Sequence, residues 1–279
     1  MRIWDFGIRT PTSDIRIPHS ELPMIHPTAI ISSEAKIGAN VSIGPFCRIG
    51  ERVTLGDRCV LDSHVVIEGP AEIGSDNRFF PFCVIGVQPQ DLKFHGEETF
   101  LTIGSHNVCR EYVNIHRGTS GGGAHTTVGD RNFLMVAAHV AHDCHVGNHV
   151  IMANAATLAG HVTIEDHATI GAYSGVHQFC RVGAHAYVGG YSVVTKDVLP
   201  YSKTVSERNN HAFGVNSIGL ERKGFTAEQI QNIKTAFRFL LQSKMNTSQA
   251  VAAIRETIRA AEVDVILKFI ESSERGIVK

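Results

Sequence analysis

Residues 140–187 decide the fold, and they read, six at a time, VAHDCH VGNHVI MANAAT LAGHVT IEDHAT IGAYSG VHQFCR VGAHAY. Each group of six begins with an apolar residue, and the same pattern extends along most of the chain. It starts at Ile25, is interrupted near residues 87–102 and 118–127, and ends at Val194. All 26 first positions are apolar, and 12 of them are followed by glycine. A six-residue period fits neither an α-helix nor an alternating strand.

A repeat of this length predicts one short strand and one tight corner per unit, so that three units close a coil of 18 residues. The first position points inward, and successive coils stack at ~4.8 Å. We expect glycine at the second position to supply corner dihedrals that a Cβ would obstruct. The fifth position also points inward and favours small residues. The sequence therefore predicts a mainly β protein built on a parallel β-helix.

Helical periodicity replaces the hexads after Pro200. Thr226 and Gln229 form a capping box, Asn246 and Gln249 begin a second helix, and a third is predicted over residues 263–273. The predicted domains are an N-terminal extension (1–23), a β-helix (24–200) and a small α-helical domain (201–279).

Composition is typical of a soluble globular protein, with 43% apolar, 7% aromatic and 19% charged residues and a net charge of −1. No window approaches the roughly 18 to 20 apolar residues of a membrane span, and the first 24 residues lack the apolar core of a signal peptide. We therefore expect a cytoplasmic protein with no stable membrane insertion and no nucleic-acid partner. Residues 201–279 contain 12 Lys and Arg against 8 Asp and Glu, which favours an acidic partner there.

The six cysteines are predicted to be buried, reduced thiols without chemical roles. Cys109 lies at a first position, and the others lie at fifth positions: Cys47, Cys59, Cys83, Cys144 and Cys180. Cys47 and Cys83 are 36 residues apart, as are Cys144 and Cys180. Each pair is therefore separated by two coils, roughly 9.6 Å at the spacing between strands. A disulfide requires Cα atoms closer than about 7 Å, so these pairs should not form one.

The sequence has 16 histidines, and seven of them cluster between residues 139 and 177. Because residues 18 apart lie above one another, His142, Gly160 and Gln178 form one column, and Asp143 and His161 begin the next. An imidazole can act as general base near pH 7, a carboxylate can orient it, and a glycine N–H can stabilise an oxyanion. The cluster therefore predicts an acyl-transfer site.

Two other interpretations of the cluster remain open from the residues alone. Outward positions of a solenoid tolerate any polar side chain, so the histidines could simply be solvated. Alternatively, His139, His142 and His145 have side chains suited to zinc, as in a β-helix hydratase of the carbonic anhydrase type. The prediction is nevertheless that the protein binds no metal.

The hexads resemble those of the hexapeptide-repeat acyltransferases, and this resemblance implies a left-handed β-helix. Longer stretches resemble one family within that group, the acyl-[acyl carrier protein]:UDP-N-acetylglucosamine O-acyltransferases of lipid A synthesis. They are QDLK (90–93), NIHRGT (114–119), HVAHDC (139–144), LAGHV (158–162), VHQF (176–179), NHA (210–212) and FGVN (213–216). The resemblance covers about residues 24–279.

The resemblance implies that His142 is the general base for attack of the glucosamine 3-hydroxyl on the thioester of a 3-hydroxyacyl chain. Asp143 would orient His142, and the Gly160 N–H would hold the oxyanion. No covalent intermediate and no cofactor are implied, because the acyl donor is carried on the phosphopantetheine of acyl carrier protein. The implied partners are acyl carrier protein, UDP-N-acetylglucosamine and two further copies of the chain in a homotrimer.

The resemblance also implies ten residues that bind substrate. His116, His139, His161, His177 and Gln178 would line the sugar and acyl pocket. Asp91 and Lys93 would contact the sugar and the pantetheine arm or a neighbouring subunit, whereas Asn216 and Arg222 would bind the nucleotide. Gly190 matches the position where family members close the acyl groove with a bulky side chain, which suggests a long acyl chain here.

Ordinary structural roles are open for several of these residues. Lys93 could be a solvated loop residue, Arg222 could form a surface ion pair, and Asp91 and Asn216 could form turns. For the whole protein, the same site could instead acylate a 3-amino UDP-sugar. A metal-dependent hydratase and a solenoid without catalysis are the alternatives from other classes.

Overall fold

The computed structural model describes residues 25–205 and 211–278, so the predicted extension over residues 1–23 lies outside the described residues. From residue 25 to residue 194 the chain forms short strands separated by tight corners. The strands are β1 (Ile30–Ile31), β2 (Lys36–Ile37), β3 (Ser42–Ile43), β4 (Arg48–Ile49), β5 (Val53–Leu55), β6 (Val60–Leu61), β7 (Val66–Ile67), β8 (Ala71–Ile73), β9 (Arg78–Phe79), β10 (Val84–Val87), β11 (Phe100–Ile103), β12 (Val108–Cys109), β13 (Asn114–His116), β14 (His125–Val128), β15 (Phe133–Leu134), β16 (His139–Val140), β17 (His145–Val146), β18 (Ile151–Met152), β19 (Thr157–Leu158), β20 (Thr163–Ile164), β21 (Thr169–Ile170), β22 (Gly175–Val176), β23 (Arg181–Val182), β24 (Tyr187–Val188) and β25 (Val193–Val194).

These strands form three parallel sheets, one on each face of the coil. The orders are β1-β4-β7-β10-β13-β16-β19-β22-β25, β2-β5-β8-β11-β14-β17-β20-β23, and β3-β6-β9-β12-β15-β18-β21-β24. Outside the inserts, paired residues are 18 apart, as in Thr157 with Gly175. The predicted fold class is confirmed: a parallel β-helix precedes a group of α-helices, and its sheets are consistent with left-handed winding.

The core follows the predicted hexad frame. From Ile43 to Val194 every first-position side chain is buried, and all six cysteines are buried and unbridged. Burial raises the pKa of the Cys144 thiol to about 12 and that of Cys109 well above its usual range. Buried thiols of this kind are poor nucleophiles, because the reactive form is the thiolate.

The reason for glycine at the second position differs from the one predicted. Left-handed backbone occurs instead at the fourth position, where the residue is rarely glycine, as at Asp143 (φ 58°) and His161 (φ 62°). Of the second-position glycines, only Gly86 has a φ in that range. A Cβ on Gly38 would lie 2.7 Å from backbone atoms of the next coil. Close approach between coils, and not corner dihedrals, therefore explains most of these glycines.

A β-hairpin that the hexad pattern did not predict follows the last coil. Its strands are β26 (Ser202–Val205) and β27 (His211–Val215), and β26 extends one face of the solenoid by pairing with β24. The helices are α1 (Ser217–Arg222), α2 (Ala227–Phe237), α3 (Thr247–Thr257) and α4 (Ala261–Glu271), with a π-helical turn over Arg238–Gln242. The predicted capping box at Thr226 is present, and the helix predicted to begin at Asn246 and Gln249 begins with a second one.

Each insert widens one coil. Residues 88–99 form a loop between β10 and β11, and a short 3₁₀ helix (Ser120–Gly122) lies between β13 and β14. The inserts therefore add residues on the outside of the solenoid.

None of the described helices is both long enough and apolar enough to cross a bilayer.

Candidate active site

His142 and Asp143 occupy one corner of the solenoid and form a hydrogen-bonded pair. His142 Nδ1 donates to Asp143 Oδ2 at 2.8 Å. The geometry depends on the left-handed backbone of Asp143, which turns its carboxylate back toward the preceding residue. The His142 side chain is 14% exposed and that of Asp143 is fully buried. Since Nδ1 is held by the carboxylate, Nε2 is the nitrogen left for chemistry.

The Asp143 carboxylate is fixed by Thr119, from the second insert. The Thr119 N–H donates to Oδ1 at 2.8 Å, and its hydroxyl donates to Oδ2 at 2.6 Å. The Asp143 N–H in turn donates to Thr126 Oγ1 at 2.8 Å. Together with His142 Nδ1–H, the two Thr119 groups give the buried carboxylate three donors. These bonds satisfy its charge and set its orientation.

Gly160 lies one coil above His142 and leaves room for its ring. A Cβ on Gly160 would lie 2.5 Å from His142 Cε1 and 2.7 Å from Nε2. Among the described residues, no acceptor takes the Gly160 N–H. This N–H is therefore unoccupied beside the free nitrogen of the imidazole, as oxyanion stabilisation requires.

His161 completes a cluster at this corner. Its ring lies edge-on to His142 at 5.2 Å and stacks on Phe179 at 4.4 Å, and its Nε2 is 3.9 Å from Asp143 Oδ2. Burial lowers the pKa of His161, and the Asp143 charge opposes this effect. The neutral ring is thus favoured at neutral pH.

Ligand atoms of His142, Asp143 and His161 lie within 4.8 Å of one another, close enough to suggest a metal. This is a different set from the one suggested by the sequence, since His145 lies in β17 on another sheet and bonds Thr127. Tetrahedral zinc would need ligand atoms roughly 3.4 Å apart. The Asp143 oxygens already accept from Thr119 and His142, so this donor set fits imidazole orientation better than metal binding.

His139 and His116 lie on the face that leads into this corner, in β16 and its neighbour β13. His139 Nδ1 donates to Asn114 Oδ1 at 2.8 Å, and the two imidazoles meet edge-on at 5.1 Å. Burial lowers the pKa of His116 to about 4, and it also lowers that of His139. His116 is only 2% exposed, so it supports His139 from behind and does not reach the surface of the single chain.

The first insert carries Asp91 and Lys93 near the same corner. The Lys93 N–H donates to Asp91 Oδ1 at 2.9 Å, which gives Asp91 the turn-forming role that the sequence left open. The Asp91 charge also lies close enough to favour the protonated form of His161. Lys93 is exposed, and the Ser120 hydroxyl donates to Glu97 Oε1 at 3.0 Å, which ties the two inserts together.

His177 and Gln178 lie on the coil above Gly160, and both are exposed. Gln178 is stacked on Gly160, as the 18-residue spacing predicts. Gly190 belongs to another corner, where a Cβ would lie 3.2 Å from the Ala172 carbonyl oxygen. Beside it, the Tyr191 ring stacks on Tyr173 at 5.2 Å and is 71% exposed.

Asn216 and Arg222 lie in a separate place, at α1. The Asn216 side chain caps the helix by accepting from the Gly219 N–H, and it donates to the His185 carbonyl oxygen at 3.2 Å. Arg222 lies in the last turn and is exposed. His185 belongs to a different corner from His142, so the single chain does not bring Asn216 and Arg222 to the His142–Asp143 pair.

Comparison with known proteins agrees with this geometry. A model described as Udp N-acetylglucosamine O-acyltransferase, domain 2, matches residues 197–278, and one described as bacterial transferase hexapeptide (six repeats) matches residues 161–196. The acyl-[acyl-carrier-protein]–UDP-N-acetylglucosamine O-acyltransferase of Xanthomonas campestris is 45% identical over 260 residues, which is 93% of this chain and 99% of the relative. The chain belongs to this family.

Solved structures show that the likeness extends to the whole fold. The UDP-N-acetylglucosamine acyltransferase of Bacteroides fragilis superposes with a TM-score of 0.89 at 43% identity, covering 92% of this chain and all of the other. The LpxA structure of Acinetobacter baumannii gives 0.89 at 43% identity, covering 91% and 99%. The prediction of an enzyme, an acyltransferase of this family, is confirmed, and the hydratase and non-catalytic alternatives are disfavoured.

Sequence reasoning missed the residues that hold this acyltransferase's Asp143 in place. Thr119 ends a stretch that carries the family resemblance, but the pattern gives it no role, and Gly122 and Thr126 lie in the insert that interrupts the hexads. The insert breaks the 18-residue period, so no spacing rule connects these residues to Asp143. The only available signal was the position of a Gly-rich segment directly before the histidine cluster.

Proposed function

We propose that this acyltransferase moves a 3-hydroxyacyl chain from acyl carrier protein to the 3-hydroxyl of UDP-N-acetylglucosamine, with His142 as general base. The observation that carries the proposal is the 2.8 Å bond from His142 Nδ1 to the buried Asp143 carboxylate beside the side-chain-free Gly160. This arrangement leaves one basic nitrogen, Nε2, next to a vacant N–H. A base and an oxyanion donor are the two groups that acyl transfer to an alcohol requires.

In the proposed reaction, His142 Nε2 takes the proton as the sugar oxygen attacks the thioester carbonyl. The Gly160 N–H donates to the carbonyl oxygen as its negative charge develops. When the tetrahedral intermediate collapses, the C–S bond breaks and the imidazolium returns the proton to the pantetheine sulfur. Asp143 stays ionised and keeps His142 in the productive orientation, as in other His–Asp pairs.

The remaining site residues are proposed to bind substrate in this reaction. His139, with Nδ1 engaged by Asn114, presents Nε2 as an acceptor for a sugar hydroxyl. His161, His177, Gln178, Asp91 and Lys93 surround the same corner, and His116 backs His139. Gly190 leaves space for a long acyl chain, while Asn216 and Arg222 are proposed to contact the nucleotide in the assembled enzyme.

We propose no cofactor beyond the carrier's phosphopantetheine, and acyl carrier protein as the donor that meets the basic C-terminal segment. We also propose a homotrimer in the cytoplasm. The pair at His142 lies on an outer corner, and two described cavities lie elsewhere, one between α3 and α4 and one near Ser42. A neighbouring subunit would supply the wall that shields the thioester from water.

The test is acyl transfer from 3-hydroxyacyl carrier proteins of several chain lengths to UDP-N-acetylglucosamine, with wild type beside His142→Ala. Loss of the general base should lower kcat about 10²- to 10⁴-fold with near-normal binding of the sugar nucleotide. A mutant that keeps more than about a tenth of wild-type activity excludes His142 as the base.

Two further arms separate the alternatives. Transfer to the 3-amino analogue, with none to UDP-N-acetylglucosamine, would replace the ester product with an amide. Wild-type transfer should also survive dialysis against a chelator, and activity that returns only with added zinc would favour a metal at His142, Asp143 and His161.

A further inference from the structure

The segment that crosses over Asp143 is built around two contacts with its carboxylate. Thr119 supplies an N–H to one oxygen and a hydroxyl to the other, at 2.8 and 2.6 Å. Gly122 lies against the same group, since a Cβ there would be 2.1 Å from Asp143 Cγ. Nothing else in the reaction proposed above calls for an insert at this point of the solenoid.

The segment holds itself in this place through its own hydrogen bonds. The Gly122 and Ala124 N–H groups both donate to the Thr119 carbonyl oxygen, at 3.0 and 2.8 Å. Ser120 is anchored to Glu97 of the first insert. Thr119 is therefore locked on both sides of its backbone, and its hydroxyl has little freedom to leave Asp143.

Two donors, His142 Nδ1–H and the Thr119 hydroxyl, share Asp143 Oδ2. A short hydrogen bond between a hydroxyl and a carboxylate is among the stronger ones in proteins. It draws charge from the oxygen that faces His142 and blocks rotation of the carboxylate away from the ring. The hydroxyl therefore affects both where the imidazole stands and how strongly the carboxylate favours its protonated form.

We infer that Thr119 is a positioning residue for the proposed His142 base, acting through Asp143, and that Gly122 is the contact that lets the segment close over the carboxylate. The inference rests on the proposed function, since it assigns Thr119 a part in the same proton transfer. Thr119 is only 4% exposed, and its hydroxyl bonds Asp143 and not the imidazole.

Thr119→Val removes the hydroxyl and keeps the size of the side chain and the backbone N–H. We expect kcat to fall about ten- to hundredfold, the range for losing a hydrogen bond to a charged group, with the KM for the sugar nucleotide within about twofold. The acid limb of the pH profile of kcat/KM should move to higher pH, because Oδ2 then accepts a hydrogen bond from His142 alone and favours the protonated imidazole more strongly. Thr119→Ser, which restores the hydroxyl, should recover most of the rate and the wild-type profile.

Adjacent glycines supply a matched pair for the closing contact. Gly122→Ala should lower kcat at least as much as Thr119→Val, because its methyl group must displace the carboxylate or lift the segment. Gly121→Ala should match wild type, because nothing lies within 4 Å of a Cβ there. Thr127→Val is the control for loss of a threonine hydroxyl, since Thr127 bonds His145 and not Asp143.

The outcomes distinguish the two proposals. If wild type transfers acyl groups and His142→Ala does not, but Thr119→Val keeps wild-type kcat and an unmoved acid limb, the inference about Thr119 is wrong while the general base stands. Equal rates for Gly121→Ala and Gly122→Ala would overturn the closing contact. If wild type transfers nothing, the proposed function fails first.

Discussion

The chemistry proposed for His142 depends on an absent side chain as much as on those present. Gly160 must be glycine because any Cβ would occupy the space of the His142 ring, at 2.5 Å from Cε1. The same residue offers its N–H without a side chain in front of it. Position 160 therefore combines a steric requirement with an electrostatic one, and the 18-residue spacing predicts only the electrostatic one.

Gly160→Ala should consequently behave as a catalytic defect in a folded protein. The methyl group should push the imidazole from its bond with Asp143, and a displacement of about 1 Å can cost about a hundredfold in rate. We expect kcat to fall by at least that factor, with a circular dichroism spectrum like that of wild type. Gly175→Ala, one strand higher and with nothing within 4 Å of its Cβ, is the matched control and should retain full activity. Similar rates for the two variants would show that the His142 ring does not need this space.

At the scale of elements, three histidines form a stacked column along one corner of the solenoid. His149, His167 and His185 stack at 4.7 and 4.6 Å, and the column ends against Tyr201 and Phe225. Burial lowers the pKa of all three, that of His185 to about 4, with Lys223 adding to the effect and Asp166 opposing it. Because burial disfavours the charged rings, this contact between the solenoid and the segment after α1 is more stable while the rings are neutral.

Stability should decrease as pH falls below about 6.5, the ordinary pKa of histidine. The unfolded chain then binds protons that these rings take up only at lower pH, His185 not until about pH 4, so protonation favours unfolding across this range. We expect the Tm, measured from pH 8 to 5, to fall with acidity, and His185→Phe to flatten this dependence. His64→Phe, on the exposed stack of Phe46 and Phe82, is the control and should leave the slope as in wild type. An unchanged slope in His185→Phe would locate the acid sensitivity elsewhere.

How much of each element the sequence predicted depends on whether the six-residue period was intact. Where it holds, a count of 18 placed Gly160 above His142 and Gln178 above Gly160, because the period of the sequence is the period of the coil. Where inserts break it, as before Thr119, the chain path depends on hydrogen bonds that no spacing reveals. The β26–β27 hairpin and α1 both follow the last hexad, which begins at Val194. The six-residue period therefore could not predict them either.

At the scale of the whole molecule, a single chain leaves much apolar surface uncovered. Phe46, Phe82 and Tyr112 stack along one corner and are 60%, 43% and 58% exposed, and Tyr191 further along is 71% exposed. Large exposed apolar patches generally mark contacts with other proteins. Asn216 and Arg222 also lie away from His142 within one chain. Both features favour an assembly in which neighbouring copies cover the solenoid and complete the site.

The proposed homotrimer should therefore be required for activity as well as present. Sedimentation of the full chain should give three times the 30.4 kDa of one copy. On dilution, specific activity should fall together with the trimer fraction, because a separated chain exposes the thioester to water and holds no nucleotide contacts beside His142. Saturating UDP-N-acetylglucosamine should shift dissociation to lower protein concentration, since a ligand bound between subunits stabilises the assembly. A monomer with full specific activity would contradict the shared site and require Asn216 and Arg222 to act elsewhere.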